Sequence, residues 1–221
     1  MATNYTGQLT TPAAPNTGTP GNEYEQRYFS QTFANMGGYF QRVTGIIAAL
    51  FGPRGGKYIN IPYGAFQDGT NQTAANTTTA YPVTFDTTDF SNGVTLSNSS
   101  RLNVAQPGLY NLQFSIQVKN TTNSSADVDF WFRKNGTDIA KSNSRFGISA
   151  RKSSGDPSHV IVALNFFVSL AANDYVQIVW RTSDVAVTIE TFAAGTSPIR
   201  PSVPSVIATM SFVSNLSTET A

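Results

Sequence analysis

The chain has 221 residues, with 14 Lys and Arg against 13 Asp and Glu, one histidine and no cysteine. That balance leaves no basic stripe for nucleic acid and no acidic solvating tail. Without cysteine there are no disulfides, zinc–thiolate sites or thiol nucleophiles.

Only 12% of residues are charged, so solubility falls to the abundant Thr, Asn and Ser. The start, Met1-Ala2-Thr3-Asn4-Tyr5, has neither the basic region nor the apolar run of a signal peptide. The longest apolar runs, such as 46–51 and 160–164, are too short to span a bilayer. A soluble protein without a secretion signal and without membrane insertion is expected. The glycosylation-like triplets at Asn71, Asn76, Asn98, Asn120, Asn135 and Asn215 then read as chance matches in an Asn-, Ser- and Thr-rich chain.

Residues 1–21 have no periodicity, and Pro12, Pro15 and Pro20 favour extended backbone. They read either as a tail or as an arm that orders only on a partner, with Tyr5 and Leu9 as its anchors. A helical neck follows over 22–51. Phe29, Phe33, Met36, Phe40, Val43, Ile47 and Leu50 are spaced 4, 3, 4, 3, 4, 3, an unbroken a/d heptad seam. Asn22 is the expected N-cap, and Glu23 and Glu25 suit the positive end of the helix. Gly37-Gly38 interrupts the run and invites a kink or break there, since each glycine costs about 1 kcal/mol relative to alanine. So short a helix is marginal alone. It needs burial against identical neighbours or against the chain's own β domain.

Gly52-Pro53 and Gly55-Gly56 end the helix, making 52–62 a linker. From 63 the apolar period becomes 2, predicting a β domain over 63–216 and a tail over 217–221. Strands are expected at 81–85, 94–96, 110–118, 128–133, 160–170, 175–181, 185–191 and 203–213. Lys134-Asn135-Gly136-Thr137 is a two-residue type I′ hairpin signal. The last strand is apolar on both parities, Val206, Ala208, Met210 and Phe212 against Ile207 and Val213, which predicts burial on both faces. Short strands at regular spacing suggest a sandwich, most simply a jelly roll.

Nothing in the sequence assembles a catalytic centre. His159, beside Asp156-Pro157-Ser158, lacks a nucleophile motif and reads as a surface histidine at a strand entrance. Glu190 is out of phase with Val187 and Ile189, so an exposed or interfacial place is expected. Asp127 and Asp129 share a strand face with Asn123 nearby, but without a calcium-loop pattern they read as a solvated face. No catalytic residue, metal or cofactor is therefore assigned. Trp131, Tyr175, Trp180 and Tyr81 suit contact surfaces better than catalysis. Trp131, between Asp129 and Arg133, either packs beneath a loop or meets a partner or sugar. Arg101, Arg145, Arg151, Lys152 and Arg181 are scattered and read as loop solubilisers.

Four phrases carry a resemblance: 130–140 (Phe130-Trp131-Phe132-Arg133-Lys134-Asn135-Gly136 and onward), 170–180, Pro107-Gly108-Leu109-Tyr110 and Pro204-Ser205-Val206-Ile207. Together with Gly52-Pro53-Arg54-Gly55-Gly56 after the helix, they resemble the C1q/TNF-like jelly roll of tailed-bacteriophage structural proteins, the cyanophage-like version above all. Where many relatives have Gly-Asp this chain has Asn173-Asp174, and Asn tolerates the positive φ such a turn needs.

The resemblance implies a homotrimeric β head on a virion, assembled in the host cytoplasm. Neighbouring copies then become the expected partner of the seam and of the last-strand residues Val206, Ala208, Met210 and Phe212. The leading expectation is a non-enzymatic capsid decoration or head-fibre protein whose arm grips the major capsid protein. The alternative is the head of a tail fibre or spike that binds a host receptor or glycan, through loops such as 142–157 or a surface with Trp131, Arg145 and Arg151. A free carbohydrate-binding or hydrolytic module has only the exposed aromatics in its favour.

Overall fold

One helix and fifteen strands occupy the described residues of the computed structural model, 13–15, 19, 25–51 and 61–214, with helix side chains described to 47. The chain divides into two units, Met1–Ile61 and Pro62–Ala221. The arm anchors Tyr5 and Leu9 and the cap residue Asn22 lie outside the described residues.

Helix α1 spans Gln26–Phe51. The Glu25 carbonyl accepts its first hydrogen bond, from the Phe29 N–H at 3.3 Å. The helix passes through Gly37 and Gly38 unbroken. A Cβ built on either glycine meets nothing within 4 Å, so no close approach demands them there. Their intrinsic cost is small enough for a 26-residue helix to absorb.

In chain order the strands are β1 (Tyr63–Asp68), β2 (Tyr81–Pro82), β3 (Thr87–Asn92), β4 (Val94–Ser97) and β5 (Arg101–Val104). Next come β6 (Gly108–Asn120), β7 (Ala126–Lys134), β8 (Thr137–Asp138), β9 (Ser144–Ile148) and β10 (Ser158–Leu170). The last are β11 (Tyr175–Thr182), β12 (Val187–Ile189), β13 (Gly195–Thr196), β14 (Ile199–Arg200) and β15 (Val206–Ser214). The first sheet runs β10-β6-β15-β1-β3, with β12 also on β6; the second runs β4-β5-β11-β7-β8, with β2 on β11 and β9 on β7. The chain crosses repeatedly between sheets, with β1, β6, β10 and β15 in the first and β5, β7 and β11 in the second. All pairs of named strands are antiparallel. This connectivity makes the domain a jelly-roll sandwich.

Alternation builds the core. Tyr110, Leu112, Phe114, Ile116 and Val118 of β6 point inward, while Asn111, Gln113, Ser115 and Gln117 stand on the other face. Across the sandwich the Phe114 ring lies 5.9 Å from both Phe130 and Phe132, and Phe132 stacks on Phe166 at 4.6 Å. The expected hairpin is present: Asn135 (φ 48) and Gly136 (φ 84) both have positive φ, as type I′ requires. Asn173 takes the left-handed conformation, φ 69, and its turn closes with the Ala171 N–H donating to the Asp174 carboxylate at 2.7 Å.

Several expectations need correction. Strand β15 is not buried on both faces. Val206, Ala208 and Met210 are fully buried within the sandwich, whereas Ile207 and Val213 are exposed. Phe212, half-buried, packs edge-on against Tyr110 at 5.6 Å. The three buried residues belong to the chain's own core, so any contact with another copy must use the opposite parity. Trp180 is 1% exposed and stacks on Phe130, a core residue rather than a contact surface. The strand expected at 81–85 shortens to β2. Segment 142–157 is not all loop, because β9 lies inside it.

Candidate functional site

Two outer sheet faces and one helix seam carry the exposed, chemically distinctive side chains. On the first sheet, cross-strand rows are set by register: Ala163–Ser115–Ile207, Asn165–Gln113–Thr209 and Phe167–Asn111–Ser211, across β10, β6 and β15. None of these side chains is charged. Ile161, Phe167 and Ile207 are exposed, and the Asn111 Oδ1 is buried without a hydrogen-bond partner. A buried acceptor left unmet costs about 1–3 kcal/mol, so a donor supplied at this point, by water or by another surface, is favoured.

Charge gathers at one end of that face. Lys119 pairs with Glu190 Oε1, and His159 Nδ1 lies 3.6 Å from Glu190 Oε2. The His159 ring packs on Phe192 at 5.2 Å. The expected surface position of His159 holds, and Glu190 is largely covered rather than exposed, with His159 the neighbour of Oε2 but no hydrogen bond made there.

On the second sheet, Arg145 of β9 and Arg181 of β11 stand directly opposite Asp129 of β7, one on each side. Arg145 Nε donates to Asp129 Oδ1 at 2.9 Å and Arg181 Nη2 lies 2.8 Å from Oδ2. Asn143 adds a longer bond to Oδ1 at 3.4 Å. Burial pushes the Asp129 carboxyl up, but the Arg145 hydrogen bond and the charges of Arg181 and Arg145 outweigh it. They hold the group below the usual carboxylate range. Arg145 and Arg181 are therefore paired to one buried carboxylate and not scattered solubilisers. The solvated-face reading of Asp127 and Asp129 holds for exposed Asp127 and fails for Asp129, which is buried and whose oxygens are engaged by two guanidiniums. Among the described residues no group of three or more His, Asp or Glu side chains is placed to hold a metal ion.

Trp131 follows on the same outward parity. Its indole N–H donates to Asp138 Oδ1 at 2.9 Å, and Arg133 Nε donates to the same oxygen at 2.7 Å. The Arg133 and Trp131 hydrogen bonds lower the Asp138 pKa. A cavity of about 290 Å³ opens beside Trp131, with Ile139, Lys141 and Asn143 on its rim. Arg151 is not part of it; its guanidinium reaches the Thr121 carbonyl at 3.5 Å. Arg101 covers the Tyr175 ring at 4.5 Å, and the Tyr81 hydroxyl accepts from the Asn76 N–H. Sequence reasoning missed Asp138, Lys141, Asn143 and the Asp129–Arg181 pair, because none belongs to a local motif.

On α1, Phe33 is 68% and Phe40 59% exposed, with Phe29, Met36 and Ile47 also exposed and Val43 half-buried. The Leu50 side chain lies outside those described. Among the described residues no helix is long and apolar enough to cross a membrane.

No family model matches this chain, and no curated protein matches it by sequence. Among solved structures it is similar to the Eiger TNF of S. frugiperda, at 10% identity over 73% of this chain and 98% of that one, with a TM-score of 0.47. The jelly-roll assignment rests on the strand order given above.

Proposed function

We propose that this protein is a non-enzymatic structural component of a tailed-phage particle, built as a homotrimer of arm, helical neck and jelly-roll head. The observation that carries the reading is the set of uncharged rows on the outer face of β10, β6 and β15, where exposed Phe167 stands beside the unmet Asn111 acceptor and exposed Ile207 and Ile161 lie further along the same face. Exposed apolar area of that kind, free of charge and rimmed by polar residues, suits contact with another protein surface. The exposed heptad seam of α1 supports the same reading, because a/d residues bury efficiently against identical helices. The sequence resemblance supplies the threefold symmetry and the virion setting.

In this reading residues 1–21 grip the shell, the helices form the neck, and the heads face solvent on the capsid surface. Light scattering on the full chain tests the assembly. A trimer is expected, and a clean monomer at micromolar concentration overturns it. Deleting 1–21 is expected to keep the trimer and abolish attachment to particles; retained attachment overturns the arm as anchor.

A second reading, the head of a tail fibre or spike, draws on the Trp131 cavity as a receptor contact. Imaging the bound protein on intact particles separates the two, since one predicts density on the capsid and the other on the tail.

A further inference from the structure

We infer that the cavity beside Trp131 is a binding site for one anionic sugar residue, a pyranose bearing a carboxylate or phosphate. The inference deepens the second reading above but rests on the cavity alone, not on oligomeric state or on the particle.

The first observation is an aromatic platform held in place. Trp131 stands on the outward face of β7, half-buried, with its indole N–H fixed by Asp138. The ring's orientation is set before any ligand arrives, and an indole face with its polar edge satisfied suits the C–H face of a sugar.

The second is a rim held in shape by buried hydrogen bonds. Ser142 is buried, and its Oγ accepts from the Phe132 N–H at 3.1 Å and donates to the Ile139 carbonyl at 2.7 Å. This ties the segment between β8 and β9 to the sheet. Lys141 sits on it in the left-handed conformation, φ 62.

The third is charge. Asp129 is shared by Arg145 and Arg181, and Asp138 is held by Arg133. Lys141 lines the cavity, is exposed, and makes no ion pair among the described residues. The lining thus holds two carboxylates, Asp129 and Asp138, and two cations, Arg181 and Lys141. The carboxylates are engaged by arginines, which leaves Lys141 to meet a negatively charged guest. Its volume, about 290 Å³, is at the small end for ligand sites and suits a single ring.

The test titrates the full-chain protein with sodium D-glucuronate, D-glucose 6-phosphate and D-glucose at matched ionic strength, reading tryptophan emission. Trp180 is buried in the core, so a surface ligand acts on Trp131. At least one anionic sugar is expected to shift the emission and to bind more tightly than glucose. Comparing the two acids shows whether carboxylate or phosphate is the preferred anion. Lys141→Asn, which keeps a residue tolerant of positive φ, is expected to weaken the anionic sugar about fivefold and to leave glucose unchanged. Lys152→Asn, outside the cavity, is expected to change nothing. No response to any of the three sugars overturns the inference, as does equal binding of glucose, or an unchanged titration in Lys141→Asn. Each of these outcomes leaves a trimer measured by light scattering untouched.

Discussion

Asp129 and Arg181 face each other across β7 and β11 with 2.8 Å between carboxylate and guanidinium, and the aspartate side chain is only 2% exposed. Arg145 closes the same carboxylate from β9. Three strands of the second sheet are thereby tied along one row. Asp129→Asn removes the charge and leaves two arginines flanking a neutral amide. Because both arginines keep solvent contact, a loss of about 2 kcal/mol is expected, less than for a fully buried pair. Chemical denaturation checks it.

The same pair sets a pH dependence. The Asp129 pKa is lowered in the folded protein, so its contribution is fully present above the unfolded carboxylate value of about 3.9. It is lost as pH falls through the folded value. Stability measured from pH 6 downward should therefore fall more steeply in the natural protein than in Asp129→Asn. Parallel acid limbs would show that Asp129 does not contribute.

Asn173 holds a left-handed turn between β10 and β11. Asn173→Ala should cost about 1 kcal/mol because Cβ disfavours this region, whereas Asn173→Gly should be neutral. For a domain of this size the alanine variant should melt about 2–4 °C lower.

Gly108 opens β6 where the chain has no room for a side chain. A Cβ there would run into the Phe212 ring and lie 2.8 Å from the Ser214 carbonyl oxygen. Gly108→Ala is expected to cost about 1–3 kcal/mol by overpacking, and Gly108→Ala with Phe212→Leu should recover part of it. Two residues on, the fully buried Tyr110 donates its hydroxyl to the Gln106 carbonyl at 2.7 Å, and burial pushes its pKa up to about 12. Tyr110→Phe should lose about 1 kcal/mol.

On the helix, Phe40→Asp with Ile47→Asp places charge on the seam. Weaker trimerisation in sedimentation equilibrium is expected, with the thermal transition of the head unchanged. An unchanged association constant would remove the seam from the assembly.

Legibility in the sequence followed the periodicity. Strands β6 and β10 alternate cleanly and were readable to within a few residues. The Asn135-Gly136 turn declared itself by two residue types. Strand β3 has no alternation to read, because all but one of its residues are exposed, and β1 and β5 are short. Strand β9 hides in a segment of Ser, Arg and Gly. Strand β15 misled because an exposed Ile207 and a buried Met210 look alike as letters, and only the register with β6 separates them. The Asp129 row was out of reach for the same reason. Its partners lie 16 residues away in one case and on a separate strand, β11, in the other. At Gly37-Gly38 local propensity pointed to a break, and the length of the helix outweighed it.

Strand β10 runs for thirteen residues with a hydrogen-bonded neighbour, β6, on one side only. Its open side is a long row of backbone donors and acceptors, carrying Val160, Ile161 and Phe167 and no lysine or proline to discourage strand addition. A head kept apart from other protein surfaces is thus a template for edge-to-edge stacking. In the assembly proposed above, this edge is the part of the head with most to gain from a neighbour.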